Sequence, residues 1–155
     1  MNRPTWEEHL MDEADLASQM STCESRKVGA VIAKDTHIIS KGFNGPASGL
    51  KHCGELGGCA RRKMPDYESG KYLDMCRAVH AEQNAINFAA RYGISTEGAT
   101  MYVNTCPCDH CLGSIINAGI KEVVYEGEYN SDSKQRAEEA GLKMRQYVRT
   151  RKREK

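Results

Sequence analysis

Two hydrophobic periods alternate along the chain, and the switches between them mark its elements. Behind Thr5, apolar Trp6, Leu10, Ala14 and Ala17 recur along one face, and Thr5-Trp6-Glu7-Glu8 reads as a capping box with Pro4 ahead of it. The spacing predicts a helix running to about Ser21. Val28 to Ala33 and His37 to Phe43 are rich in β-formers and flank Lys34-Asp35-Thr36, which predicts a hairpin. The second run leads into a sharp loop, Gly42-Phe43-Asn44-Gly45-Pro46. From Gly45 to Val79 neither period survives, and glycines, charges and three cysteines predict an irregular insertion.

Helical spacing returns at His80 to Tyr92, with Ala85, Ile86, Phe88 and Ala89 for burial and Gly93 to close the helix. Thr100 to Asn104 reads as a strand, Asp109 to Ala118 as a helix closed by Gly119, and Lys121 to Tyr125 as a strand. Asp132 to Ala140 reads as a helix closed by Gly141, and Leu142 to Tyr147 as a last strand. Strands alternating with short helices predict an α/β layered domain with helices covering a sheet.

At 155 residues and 39% hydrophobic content the chain suffices for one core, so a single domain over residues 1–155 is expected. The formal net charge of +1 gives no field that would draw polyanions. The chain is locally basic from Lys143 to Lys155, and residues 148–155 read as a solvated tail rather than a nucleic-acid arm. The acidic N-terminal segment and the lack of a long apolar run predict a soluble, cytoplasmic protein that binds neither membrane nor nucleic acid. In that setting seven cysteines read as metal ligands and free thiols, not as a disulfide framework.

His80-Ala81-Glu82 and Pro107-Cys108-Asp109-His110-Cys111 are the chemically loaded segments. A hydrolytic zinc site needs three protein ligands and one open position, which His80, Cys108 and Cys111 supply. Cysteines three apart share one side of a helix opened by Pro107, and its positive end favours thiolates. Zinc lowers the pKa of a bound water from 15.7 toward about 7. Glu82, two residues beyond the histidine, is placed to shuttle its proton. His110 lies between the cysteines and is expected to point away from their shared face. The combination of His-x-Glu with Pro-Cys-x-x-Cys is the signature of zinc nucleobase deaminases.

Of the remaining cysteines, Cys23, Cys53, Cys59 and Cys76 read as ligands of a second, structural zinc that fastens the insertion, and His52 could replace any one of them. Cys106 reads as a lining residue whose backbone meets the base.

The chain resembles the cytidine and deoxycytidylate deaminase superfamily, and within it the deoxycytidylate (dCMP) branch, over roughly Thr5 to Tyr147. The resemblance rests on Ser21-Thr22-Cys23, Lys27 to Ile32, Gly42-Phe43-Asn44-Gly45, His80 to Ala85, Glu97 to Val103 and Gly119 to Tyr125. It implies a three-layer α-β-α fold around a mixed sheet of about five strands, with His80, Cys108 and Cys111 on zinc and Glu82 as acid and base. It implies dCMP as substrate, dCTP as activator, dTTP as inhibitor and a homohexamer. Val28, Asn44 and Ala81 match substrate-binding positions, with Asn44 reaching sugar or phosphate. Arg91 and Tyr129 match positions associated with the 5′-phosphate. At 1.5 Å per residue Arg91 lies about 16 Å along its helix from His80, long for one nucleotide bound by one subunit, so either the phosphate lies farther out, or Arg91 acts at a subunit boundary or effector site, or it is a solvated helix-end arginine favourable to the helix dipole. Alternatives are a tRNA adenosine deaminase, another cytosine-nucleoside deaminase, or a non-catalytic zinc-stabilised nucleic-acid module. The long insertion disfavours the other deaminases, and Glu82 and the scarcity of aromatics disfavour the module.

Overall fold

The structure, a computed structural model, describes residues 3–128 and 131–150. Its elements follow the order α1 (Trp6–Ser18), β1 (Gly29–Lys34), β2 (His37–Phe43), β3 (Gly45–Pro46), β4 (Ala78–Val79), α2 (Ala81–Arg91), β5 (Thr100–Val103), α3 (Asp109–Asn117), β6 (Glu122–Tyr125), α4 (Ser131–Glu139) and β7 (Lys143–Gln146). The main sheet runs β2-β1-β5-β6-β7. Its first three strands pair antiparallel and its last three parallel, so the sheet is mixed as expected.

Alternation along the central strands divides the core into two layers. Val31, Ala33, Tyr102 and Val124 meet Leu10, Met11 and Ala14 of α1 on one face. Ala30, Ile32, Met101, Val103, Val123 and Tyr125 meet Ala81 and Ala85 of α2, Cys111, Leu112 and Ile115 of α3, and Ala137 of α4 on the other. The result is the three-layer arrangement, one helix on one side and three on the other.

Two glycines set the closeness of these layers. A Cβ on Gly29 would overlap the Ala14 carbonyl oxygen, and one on Gly42 would overlap the backbone of Ala81 and Ala85. The first turn of α2 therefore sits directly on β2, where Ser40 Oγ donates to the Ala85 carbonyl at 2.6 Å and Asn84 Nδ2 to the Phe43 carbonyl at 2.8 Å.

The capping box forms as expected, with Thr5 Oγ1 accepting from the Glu8 N–H and Glu8 accepting from the Thr5 N–H. The first helix ends at Ser18 rather than Ser21, and Ser18 Oγ donates to the Asp15 carbonyl at 2.7 Å, a local bond that competes with further helix. The insertion is irregular but not shapeless. A two-residue ladder, Gly45 with Val79 and Pro46 with Ala78, closes its neck, and three short 3-10 turns lie inside it.

The basic C-terminal segment is not simply solvated. Arg145 pairs with Glu7 and Glu122, and Arg149 with Asp12, Asp15 and Glu126, so its described part is stapled to α1 and the sheet. Pairing wins because α1 presents carboxylates toward β7, and residues 151–155 lie outside the described residues. Among the described residues no helix is long and apolar enough to cross a membrane.

Burial pushes the Glu122 carboxyl up, but the hydrogen bond and charge of Arg145, together with Lys143, outweigh it and hold it below the ordinary 4.5. A depressed folded-state value stabilises above the ordinary range and is lost as the pH falls through the lowered one. Acid unfolding followed by circular dichroism is therefore expected to be shallower below pH 4.5 in Glu122→Gln than in the unaltered chain.

Candidate active site

Both chemically loaded segments fold as helix starts. His80 is the N-cap of α2 at φ −68°, ψ 154°, and Cys108 is the N-cap of α3 at φ −76°, ψ 168°. Neither side chain caps its own helix. Both instead turn to a common point. His80 Nδ1 lies 3.5 Å from Cys108 Sγ and 3.3 Å from Cys111 Sγ. Among the described residues these three form the group of His, Cys and acidic side chains whose ligand atoms all fall within 4.8 Å of one another. Cys111 reaches the point from the first turn of the helix that Cys108 caps. Pro107 lies one residue outside that helix, so it steers the approach to α3 rather than opening its first turn.

The electrostatics suit a cation. Hydrogen bonding from the Cys111 thiol, helped by His80 and opposed by burial, pushes the Cys108 thiol down to about 3. The same sulfur pair, with burial and the Glu82 charge, pushes Cys111 far up. Metal binding here would release thiol protons, because the ligand form of cysteine is the thiolate. The Cys108 hydrogen bond raises His80 against the lowering effect of burial. Two sulfurs and an imidazole at this spacing fit zinc, whose ligand set they match. His110 is exposed and stands outside the cluster, as its position between the cysteines predicts.

Glu82, in the first turn of α2, is 3% exposed. Burial raises its carboxyl above the ordinary range, against the backbone amide and the His80 charge. It lies beside the cluster, within reach of the Cys111 sulfur.

Asn44 is placed differently from a group that reaches into solvent for a ligand. It is buried, its Oδ1 accepts from the Val28 N–H at 2.8 Å and from Ser21 Oγ at 2.6 Å, and its Nδ2 donates to the Arg26 carbonyl at 2.8 Å. It holds the Arg26–Val28 turn. Ser21 and Asn104 escaped the sequence reading. Asn104 Oδ1 accepts from the Gly29 N–H at 3.0 Å and its Nδ2 donates to Asp15 at 3.2 Å, tying the turn that leads to Cys108 onto β1 and α1. Short polar side chains just past the end of an element, Ser21 after α1 and Asn104 after β5, were their signal.

Val28 is half-buried beside the core and Ala81 is wholly buried, so Ala81 can offer a ligand only its backbone. Cys106 is half-buried and helps line a cavity of about 380 Å³ with Pro107, Cys108 and His110. Arg91 stands exposed at the far end of α2, its guanidinium 6.0 Å from the Tyr92 ring. Tyr129 lies outside the described residues.

Cys23, Cys53, Cys59 and Cys76 line one cavity of about 430 Å³ between the insertion and the body of the fold. Burial raises the Cys53 thiol, and the charges of Cys59, Cys76 and Cys23 raise it further. The four sulfurs are neighbours, but they are more widely spaced than the ligand atoms of His80, Cys108 and Cys111.

The family model described as the cytidine and deoxycytidylate deaminase zinc-binding region matches residues 4–127. The chain belongs to that family. It is 40% identical over 148 residues to the deoxycytidylate deaminase of Schizosaccharomyces pombe, covering 94% of this chain and 45% of that protein. It is 40% identical over 134 residues to the deoxycytidylate deaminase of Mycobacterium phage D29, covering 83% of this chain and 99% of that protein. The structure resembles that of the dCMP deaminase from cyanophage S-TIM5 in complex with dCMP and dUMP, with a TM-score of 0.75, 30% identity, and coverage of 95% and 100% of the two chains. The chain spans about half the length of the two yeast relatives it matches, at 45% and 46%. The fold expectation, a cytidine deaminase-like α-β-α domain, holds.

Removing Asn44 would leave the half-buried Val28 N–H without its acceptor. We expect Asn44→Ala to lose about 2 kcal/mol of stability, measured by urea unfolding, beyond any effect on ligand binding.

Proposed function

We propose that the protein is a zinc-dependent hydrolase that converts dCMP to dUMP with release of ammonia. The observation that carries this reading is the convergence of His80, Cys108 and Cys111 beside a buried Glu82. The dCMP and dUMP held by the cyanophage relative support the choice of nucleotide.

In this reading His80, Cys108 and Cys111 hold the zinc, which when bound activates water for attack at neutral pH. Glu82 takes a proton from the water, delivers it to the ring nitrogen, and carries the second to the departing amino group, so that water is consumed and ammonia leaves. Its burial suits the task, because a carboxyl whose pKa is raised by burial is a stronger base for the proton of the water. The Val28 side chain and the backbone at Ala81 and Cys106 form the walls against the base. Asn44 acts first by holding the Val28 wall in place, and Tyr129 belongs with the phosphate. Arg91 lies one helix length from His80, about 16 Å at 1.5 Å per residue, and is assigned to a subunit boundary or effector site.

The same reading carries a cytoplasmic homohexamer regulated by dCTP and dTTP, and a second, structural zinc on Cys23, Cys53, Cys59 and Cys76. The four sulfurs around one cavity support that second ion. It would give the insertion, which has little core of its own, a fixed attachment.

An ultraviolet assay is expected to show loss of the cytosine amino group from dCMP, with Glu82→Gln retaining zinc at the His80 site but losing at least about a hundredfold in turnover. Inactivity toward dCMP, CMP, deoxycytidine and dCTP alike sinks the enzyme reading. Metal analysis of the unaltered chain is expected to give about two zinc ions, and one in Cys53→Ser. A single equivalent in both removes the four-cysteine site.

A further inference from the structure

Asp109 follows Cys108 directly and is the first residue of α3. A carboxylate there is already favoured by the helix dipole and needs no further partner. It has two. Its Oδ1 accepts a short hydrogen bond from the Ser133 hydroxyl, and its Oδ2 lies 3.3 Å from Arg136 Nη1. Both partners are on the first turns of α4, and the Ser133 side is 2% exposed.

The location of this pair of bonds matters more than their strength. The cavity of about 380 Å³ beside the metal site has one wall from Cys106, Pro107, Cys108 and His110 and another from Glu128 and Ser133. Asp109 belongs to the first wall and grips the second. Burial of Ala137 holds the middle of α4 on the core, but it does not fix where the first turn points.

We propose that Asp109 is a positioning residue that sets the width of the nucleotide cleft by clamping the first turns of α4 to the start of α3. This rests on the deaminase reading above. Asp109 touches neither the reacting atoms nor the three ligand atoms, so its loss loosens nucleotide binding and leaves the proton transfers intact. Arg136→Met and Ser133→Ala release the clamp from the α4 side without altering the cysteine motif.

The test is steady-state dCMP kinetics, calorimetric binding of dUMP, zinc content and melting temperature on the zinc-loaded protein. The expected result for Arg136→Met is a KM for dCMP and a Kd for dUMP that each rise about threefold, the scale of one solvent-exposed ion pair. The kcat stays within about twofold and zinc content is unchanged, as for loss of uniform binding. Arg136→Lys, which keeps a cation, is expected to recover most of the affinity. Asp109→Asn added to Arg136→Met and Ser133→Ala together should weaken binding little further, because those two changes already remove both partners of Asp109. Unchanged KM and dUMP affinity in Arg136→Met and Ser133→Ala overturn the clamp, as does a fall in kcat with KM unchanged. Failure of the unaltered protein to turn over dCMP or bind dUMP overturns the deaminase reading itself, and the positioning role with it.

Discussion

Everything in this molecule depends on two helix N-termini meeting over one face of a sheet. His80 and Cys108 are 28 residues apart, and each is the N-cap of its helix. An N-cap residue has extended backbone while the next residue is helical, so its side chain is free to leave the helix sideways. Here both side chains do so toward the same point. The approach requires α2 to lie against β2 with no Cβ at Gly42, and α3 to be buried through Cys111, Leu112 and Ile115. The core therefore positions the chemistry. The Cys111 thiol belongs to both, being a fully buried side chain and a member of the cluster.

Around that meeting point a polar frame fixes what the core cannot. Asn44 binds the turn before β1, Asn104 binds the turn before α3 to β1, and Asp15 links Asn104 to Arg149. These are buried or half-buried side chains with their hydrogen bonds satisfied within the fold. A low-dielectric setting makes such bonds costly to leave unmade, and so makes them specific. Asp109 extends the frame to α4.

Much of this was legible in the residues. The β-forming run from Val28 to Ala33, the glycines that close the helices, and the capping box at Thr5 each follow from local chemistry that tertiary structure left undisturbed. The convergence of His80, Cys108 and Cys111 was legible because ligand chemistry restricts residue type and spacing together. What stayed hidden was long-range. Nothing in a run of lysines and arginines says that α1 offers carboxylates across the fold, so the segment through Arg149 read as solvated although it is ion-paired. Nor does a lone asparagine announce whether its amide faces a ligand or a neighbouring turn. Asn44 holds a neighbouring turn, and its partners Val28 and Arg26 lie on the far side of the β1–β2 hairpin. Arg91 could be placed relative to His80 because helix rise is fixed, but its role is a matter of what lies beyond one chain.

The central claim is that His80, Cys108 and Cys111 hold one catalytic zinc beside Glu82. A crystal structure with dUMP, recorded on both sides of the zinc absorption edge, tests it most directly. The account predicts an anomalous peak bonded to His80 Nδ1, Cys108 Sγ and Cys111 Sγ, with the pyrimidine ring facing Glu82 and no fourth protein ligand. A peak closed by a fourth side chain, or dUMP bound away from Glu82, would contradict it.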